Sequence, residues 1–75
     1  MQKYLNLGGG SGISEYEIWD DYIKVKFDDD SIYLYDYSAP GQSHVEEMKR
    51  LAQEGSGLNS YIRKYVKKNF AAQLQ

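Results

Sequence analysis

The chain has 75 residues, of which 41% are hydrophobic and 15% are aromatic, with one proline and no cysteine. A chain of this length holds one small domain, and the lack of cysteine excludes disulfides and thiolate metal sites. No apolar run reaches the roughly 18 residues of a membrane span, and no secretory signal pattern opens the chain, so we expect a cytosolic protein.

The net charge of −2 is the sum of two oppositely charged parts of the chain. Residues 13–47 carry ten acids and two lysines, whereas residues 48–75 carry six bases and one acid. The basic part is the natural candidate for contact with a polyanion. The acidic part can screen it or attract the basic part of a neighbouring copy.

The first twelve residues are predicted to be a glycine-rich lead-in, with glycine at positions 8, 9, 10 and 12. The glycine cluster is either flexible or a turn that places the first strand. A phosphate-binding loop needs a preceding apolar strand, a Gly-Lys-Ser/Thr ending and a following helix. Strand-like sequence begins instead at Ile13. The glycines therefore do not predict a phosphate site.

Alternation of apolar and polar residues with a period of two predicts three strands. They span about residues 13–19, 22–28 and 31–37. The third strand is apolar on both faces, so the length of the loop at residues 28–30 decides which side chains are buried. A two-residue loop buries Ile32 and Leu34, whereas a three-residue loop buries Tyr33 and Tyr35.

Beyond the only proline, helical periodicity predicts two helices, at about residues 43–54 and 59–70. Ser43 and Glu46 fit a capping box at the start of the first helix, and Gly55 is well placed to end it. The predicted fold class is α+β. A three-stranded antiparallel β-meander is followed by two α-helices packed on one face.

The second predicted helix is amphipathic, and residues 71–75 after it are predicted to form a frayed tail. Its apolar arc consists of Leu58, Ile62, Tyr65, Val66 and Asn69. Its basic arc consists of Arg63, Lys64, Lys67 and Lys68. This basic arc, with Lys49 and Arg50 of the first helix as neighbours, is a candidate contact for a polyanion. The alternative is an ordinary solvated helix face.

Several motifs occur in an order that resembles a known family. The run IKVKF is followed by three loop residues and SIYLY, and then by MKRLAQEGSGLNSYIRKYV. From about Ser11 to Phe70 this order is similar to the KTSC domain, found at the C-terminus of some lysyl-tRNA synthetases and as a stand-alone bacterial protein. The resemblance implies a single domain over residues 13–70 and hints at RNA. It implies no reaction, cofactor or catalytic residue.

The resemblance also bears on the length of the hairpin loop. The family usually has glycine at the third loop position, where this chain has Asp30. Glycine there is typical of a three-residue loop with a left-handed third residue, and aspartate tolerates that conformation. The three-residue loop is therefore the favoured alternative.

With the three-residue loop, the outer face of the sheet carries Trp19, Ile32 and Leu34. Contiguous large apolar side chains on an exposed face mark contact surfaces, so these residues predict contact with a protein partner or a second copy. Scattered surface hydrophobes are the alternative. The tyrosines of the third strand are candidates for a platform on which nucleic-acid bases stack, but core packing is the favoured interpretation.

No pattern for catalysis or metal binding is present. Ser43 and His44 are neighbours in a predicted helix, and adjacent helical residues do not face each other. Asp28, Asp29 and Asp30 lack the alternating donors of a calcium loop. We therefore predict no catalytic, cofactor or metal residues. The predicted function is a small non-enzymatic module for protein contacts or, alternatively, for nucleic acid (RNA) through the basic last helix.

Overall fold

The computed structural model describes residues 1–75 and has a five-stranded antiparallel sheet in the order β1-β2-β3-β4-β5. The elements are β1 (Gln2–Lys3), β2 (Ile13–Trp19), β3 (Tyr22–Phe27), β4 (Ile32–Asp36), α1 (Gln42–Glu54), α2 (Leu58–Tyr61), a π-helical segment (Ile62–Val66) that continues α2, and β5 (Ala72–Gln73). The predicted α+β class is confirmed. The predicted number of three strands is wrong, because a short strand extends the sheet at each edge.

The hydrophobic core lies between one face of the sheet and the helices. Alternate residues of the strands, such as Ile23 and Val25, meet residues at helical spacing, such as Val45 and Met48. The buried set is Tyr4, Ile13, Tyr16, Ile23, Val25, Tyr35, Val45, Met48, Ala52, Leu58, Ile62 and Val66. No large apolar cluster of this kind covers the other face of the sheet.

The loop between β3 and β4 has three residues, which confirms the favoured alternative. The Phe27 amide donates to the Ser31 carbonyl at 2.9 Å, and the Asp30 amide donates to the Phe27 carbonyl at 2.9 Å. Asp30 has a φ of 70°, the predicted left-handed conformation. Tyr35 lies opposite Ile23 and is 2% exposed, as the core interpretation requires.

The start of the chain belongs to the folded domain and is not a loose lead-in. Gln2–Lys3 pairs with β2, and Tyr4 is 2% exposed. The Tyr4 hydroxyl accepts a hydrogen bond from the Leu58 amide at 3.3 Å. The Leu7 amide donates to the Gly55 carbonyl at 2.7 Å. Two residues of strand are too few to show an alternating pattern, so the sequence does not reveal them.

The last helix is shorter than the predicted span of residues 59–70. The Lys67 amide donates to the Ile62 carbonyl at 2.5 Å, and Lys67 then leaves the helix with a φ of 54°. The chain turns back, and the Ala71 amide donates to the Leu34 carbonyl at 2.8 Å. The last five residues, predicted to fray, include β5, which satisfies hydrogen-bonding groups on the free edge of β4.

The predicted capping box of α1 does not form. Gly41 is the N-cap, no side chain caps the helix, and Ser43 lies inside the first turn. The Glu46 carboxylate lies 2.8 Å from the Tyr37 hydroxyl and is therefore directed away from the helix start. Gly55 ends the helix in the left-handed conformation, as predicted.

Candidate functional site

The predicted basic side chains of the last helical segment are free of ion pairs. Arg63, Lys64, Lys67 and Lys68 are all exposed, and none has a salt bridge. The neighbouring basic residues of α1 do form ion pairs. Lys49 lies 2.8 Å from the Glu46 carboxylate, and Arg50 is paired with Glu47 and Glu54. Only the four C-terminal cations are therefore available to an anionic ligand on this part of the surface.

These four cations do not share one helical arc, so that detail of the prediction is wrong. Arg63 lines a small polar pocket beside the glycine-rich loop. Lys67 and Lys68 line the largest cleft of the molecule. Lys64 Nζ lies 5.3 Å from the centre of the Tyr65 ring. The reason is that the helix ends at residue 66, which moves the last two lysines into the following turn.

The largest cleft has a volume of about 690 Å³ and lies between the β3–β4 hairpin and the end of the helical segment. Aromatic rings line it. The rings of Phe27 and Tyr33 meet edge to face at 5.6 Å, and those of Tyr33 and Phe70 at 4.7 Å. Sequence reasoning missed this cleft, because its two sides come from separate parts of the chain, residues 27–35 and 62–73.

The charged groups at the cleft have opposite signs. The helix end contributes Lys67 and Lys68, and the hairpin loop contributes Asp28 and Asp29. The Ser31 hydroxyl donates to the Asp29 carboxylate at 2.6 Å, and this bond, with one from the Ser31 amide, lowers the pKa of Asp29. The cleft therefore combines basic and acidic side chains with an aromatic lining.

Tyr35 also reaches the cleft, although most of its ring is in the core. Burial raises the pKa of the Tyr35 phenol to about 12, with a smaller effect from Tyr33. Its hydroxyl is therefore neutral and available as a hydrogen-bond donor or acceptor near neutral pH.

Tyr65 lies at the surface, contrary to its predicted place on the apolar arc. It is 55% exposed, and its ring centre is 4.9 Å from that of Tyr61. The Tyr61 hydroxyl lies 2.7 Å from His44 Nδ1, which fixes the inner ring of this pair. A π-helical turn holds more residues than an α-helical turn, so Tyr65 is rotated away from the buried side that includes Ile62.

The predicted outer-face residues lie on the sheet face away from the helices, on two strands that are not neighbours. Trp19 is 59% exposed, whereas Ile32 and Leu34 are half-buried. Trp19 is on β2 and the other two are on β4. Between them, β3 presents Tyr22 and Lys24 to the same face. The register that keeps Ile32 and Leu34 out of the core is confirmed. The contact surface itself stays a prediction.

Glu17 is the centre of a polar cluster on this outer face. Its carboxylate accepts hydrogen bonds from the Trp19 indole at 3.0 Å and from the Tyr22 hydroxyl at 3.1 Å. Lys24 Nζ lies 3.6 Å away. The pKa of Glu17 is lowered, mainly by the hydrogen bond from Trp19. Trp19 is thus tethered to its own strand although its ring is exposed.

The tyrosines of β4 and the following turn do not form a joint platform for bases. Tyr35 is in the core, and Tyr33 is half-buried at the cleft. Tyr37 is exposed, but its hydroxyl lies within 2.9 Å of the Asp20 carbonyl and 2.8 Å of the Glu46 carboxylate. The exposed aromatic residue near the free cations is Tyr65.

No three histidine, aspartate or glutamate side chains lie close enough together to hold a metal ion. None of the helices has both the length and the apolar character needed to cross a bilayer. Compared with known proteins, the chain matches no family model, no curated protein and no solved structure. Its membership of the KTSC family stays a prediction from the sequence.

Proposed function

We propose that this protein is a small, non-enzymatic module that binds single-stranded RNA through its C-terminal helical segment. One observation carries the proposal: the last helical segment and the turn after it carry four exposed cations without ion pairs and the exposed Tyr65, and two of these cations, Lys67 and Lys68, line the aromatic cleft. Cations contact phosphates and release counterions, whereas aromatic rings stack on unpaired bases. The same segment therefore offers both kinds of contact that single-stranded nucleic acid uses.

A single-stranded ligand fits this surface better than a duplex. Reading a duplex groove usually requires an extended helix or a two-stranded ribbon that enters the groove. The last helical segment spans only residues 58–66 and packs its inner side into the core. Resemblance to a domain that occurs on a tRNA-charging enzyme supports RNA, and an RNA ligand also fits the expected cytosolic location.

The test is fluorescence anisotropy with a labelled single-stranded RNA at low salt. Replacing Lys67 and Lys68 together with glutamine should weaken binding by about 10- to 100-fold at about 50 mM salt, because up to two phosphate contacts are lost. The matched control replaces Lys24 and Lys26 with glutamine, which changes the net charge equally on the outer sheet face. It should change affinity by less than about threefold, because salt screens distant charges.

Two results would contradict the proposal. The first is no binding of wild-type protein at low salt. The second is an equal loss of affinity in the two double variants, which would show that only the total charge matters.

A second candidate function, contact with a protein partner or a second copy, is favoured by Trp19. This large side chain is 59% exposed on a sheet face that no helix covers. Self-association would raise the molar mass with concentration and shift Trp19 fluorescence, and Trp19→Ser would abolish the rise in mass. A monomeric mass at every concentration, with unchanged fluorescence, would eliminate self-association.

A further inference from the structure

We propose that the aromatic cleft seats one nucleotide of the bound strand, with its phosphate on Lys67 and Lys68 and its base on the aromatic lining. We further infer that the strained backbone of Lys67 is retained because it places the ammonium group where it binds the phosphate of this nucleotide. The inference rests on the proposed RNA-binding function and names the place and the orientation of one nucleotide.

The backbone of Lys67 is the first observation. Its φ of 54° and ψ of −123° lie in a region that residues with a Cβ rarely adopt. The two other non-glycine residues with positive φ are Asn6 and Asp30, which belong to the residue types that tolerate it. Glycine at position 67 would adopt this turn without strain. Strained residues of this kind cluster at ligand sites, and so do π-helical turns such as the one that ends here.

The cleft itself is the second observation. Its volume of about 690 Å³ lies within the range of small-molecule pockets. The Tyr33 ring meets both Phe27 and Phe70 edge to face, so the aromatic surface is formed before a ligand arrives. Such a surface suits a flat base.

The charge arrangement orients the nucleotide. Lys67 and Lys68 attract the phosphate, whereas Asp28 and Asp29 of the hairpin loop repel it. Carboxylates accept hydrogen bonds from base amino groups, such as N4 of cytosine. The base therefore points its amino edge toward the hairpin loop. Uracil has no amino group, so cytosine should bind better than uracil. An acidic peptide, with several carboxylates, would meet repulsion at the same loop.

The experiment measures urea unfolding and RNA affinity in the same set of variants. Lys67→Gly should raise the urea midpoint, because strain is relieved, and weaken binding of an oligocytidine about tenfold, because a phosphate contact is lost. Lys67→Gln should weaken binding equally without raising the midpoint. Asp30→Gly is the matched control: it relieves positive φ at a residue that does not line the cleft, and because it removes a negative charge it should not weaken binding. Oligouridine should bind wild type about tenfold more weakly than oligocytidine.

The possible failures are distinguishable. If the wild-type protein binds no single-stranded RNA, both the proposed function and the proposed nucleotide site are wrong. If the double variant Arg63→Gln, Lys64→Gln binds more weakly but Lys67→Gly does not, the RNA-binding function is supported and the nucleotide site in the cleft is wrong. A lower urea midpoint for Lys67→Gly would overturn the strain argument. Equal binding of oligocytidine and oligouridine, or full competition by an acidic peptide, would overturn the nucleotide's place and orientation.

Discussion

Replacing Gly55 with alanine tests how the start of the chain is attached to the domain. Gly55 ends α1 with a φ of 80°, and its carbonyl accepts the Leu7 amide. A Cβ at this position would lie 2.7 Å from the Cβ of Leu5. The Leu5 Cβ is fixed to the backbone, so rotation of a side chain cannot relieve the clash.

The cost has two parts. Left-handed backbone costs roughly 1–2 kcal/mol for a residue with a Cβ, and overpacking costs typically about 1–3 kcal/mol. Gly55→Ala should therefore destabilise the fold by about 2–5 kcal/mol. Gly57→Ala is the matched control, because its φ is 83° but its nearest neighbour, Leu51 Cδ2, lies 3.7 Å away in ordinary contact. It should cost only about 1–2 kcal/mol.

Urea unfolding followed by circular dichroism gives both free energies of unfolding. The difference between the two variants measures the contact with Leu5 and should be about 1–3 kcal/mol. Equal destabilisation by both substitutions would refute the packing of residue 5 against the end of α1.

Two further predictions concern stability. Asp30→Gly should stabilise the fold by up to about 1 kcal/mol, because relief of the left-handed backbone exceeds the loss of the exposed ion pair with Lys26; a lower urea midpoint would contradict this. The pKa of Tyr35 is raised to about 12 in the folded protein, above its unfolded value of about 10. The contribution of Tyr35 to the free energy of unfolding should therefore be constant below about pH 10 and should fall as pH rises from there through about 12. Tyr35→Phe should flatten that fall, and an unchanged alkaline profile in urea melts would show that another group is responsible.

The middle of the fold could be predicted because its pattern is long. The strands β2, β3 and β4 each have at least five residues, so apolar and polar positions alternate often enough to identify a half-buried strand. The helix α1 is also long enough to show its period. The strands β1 and β5 have two residues each, and their pairing depends on contacts distant in sequence, such as the Ala71 amide with the Leu34 carbonyl.

The charges of the candidate site could be predicted, but their geometry could not. Lysine and arginine are exposed in almost any fold, so a run of them identifies a basic surface from sequence alone. The position of Lys67 depends on a π-helical turn and on Phe70 packing against Tyr33. The cleft brings together Asp28 and Lys67, which no local pattern connects.

The most direct test of the central claim is the salt dependence of the affinity for single-stranded RNA. Four phosphate contacts predict that log K falls with log salt at a slope of about −3. Replacing Lys67 and Lys68 with glutamine should reduce the slope to about −1.5, because two contacts are lost. A slope near zero for the wild type, or the same slope in the double variant, would contradict binding through these cations.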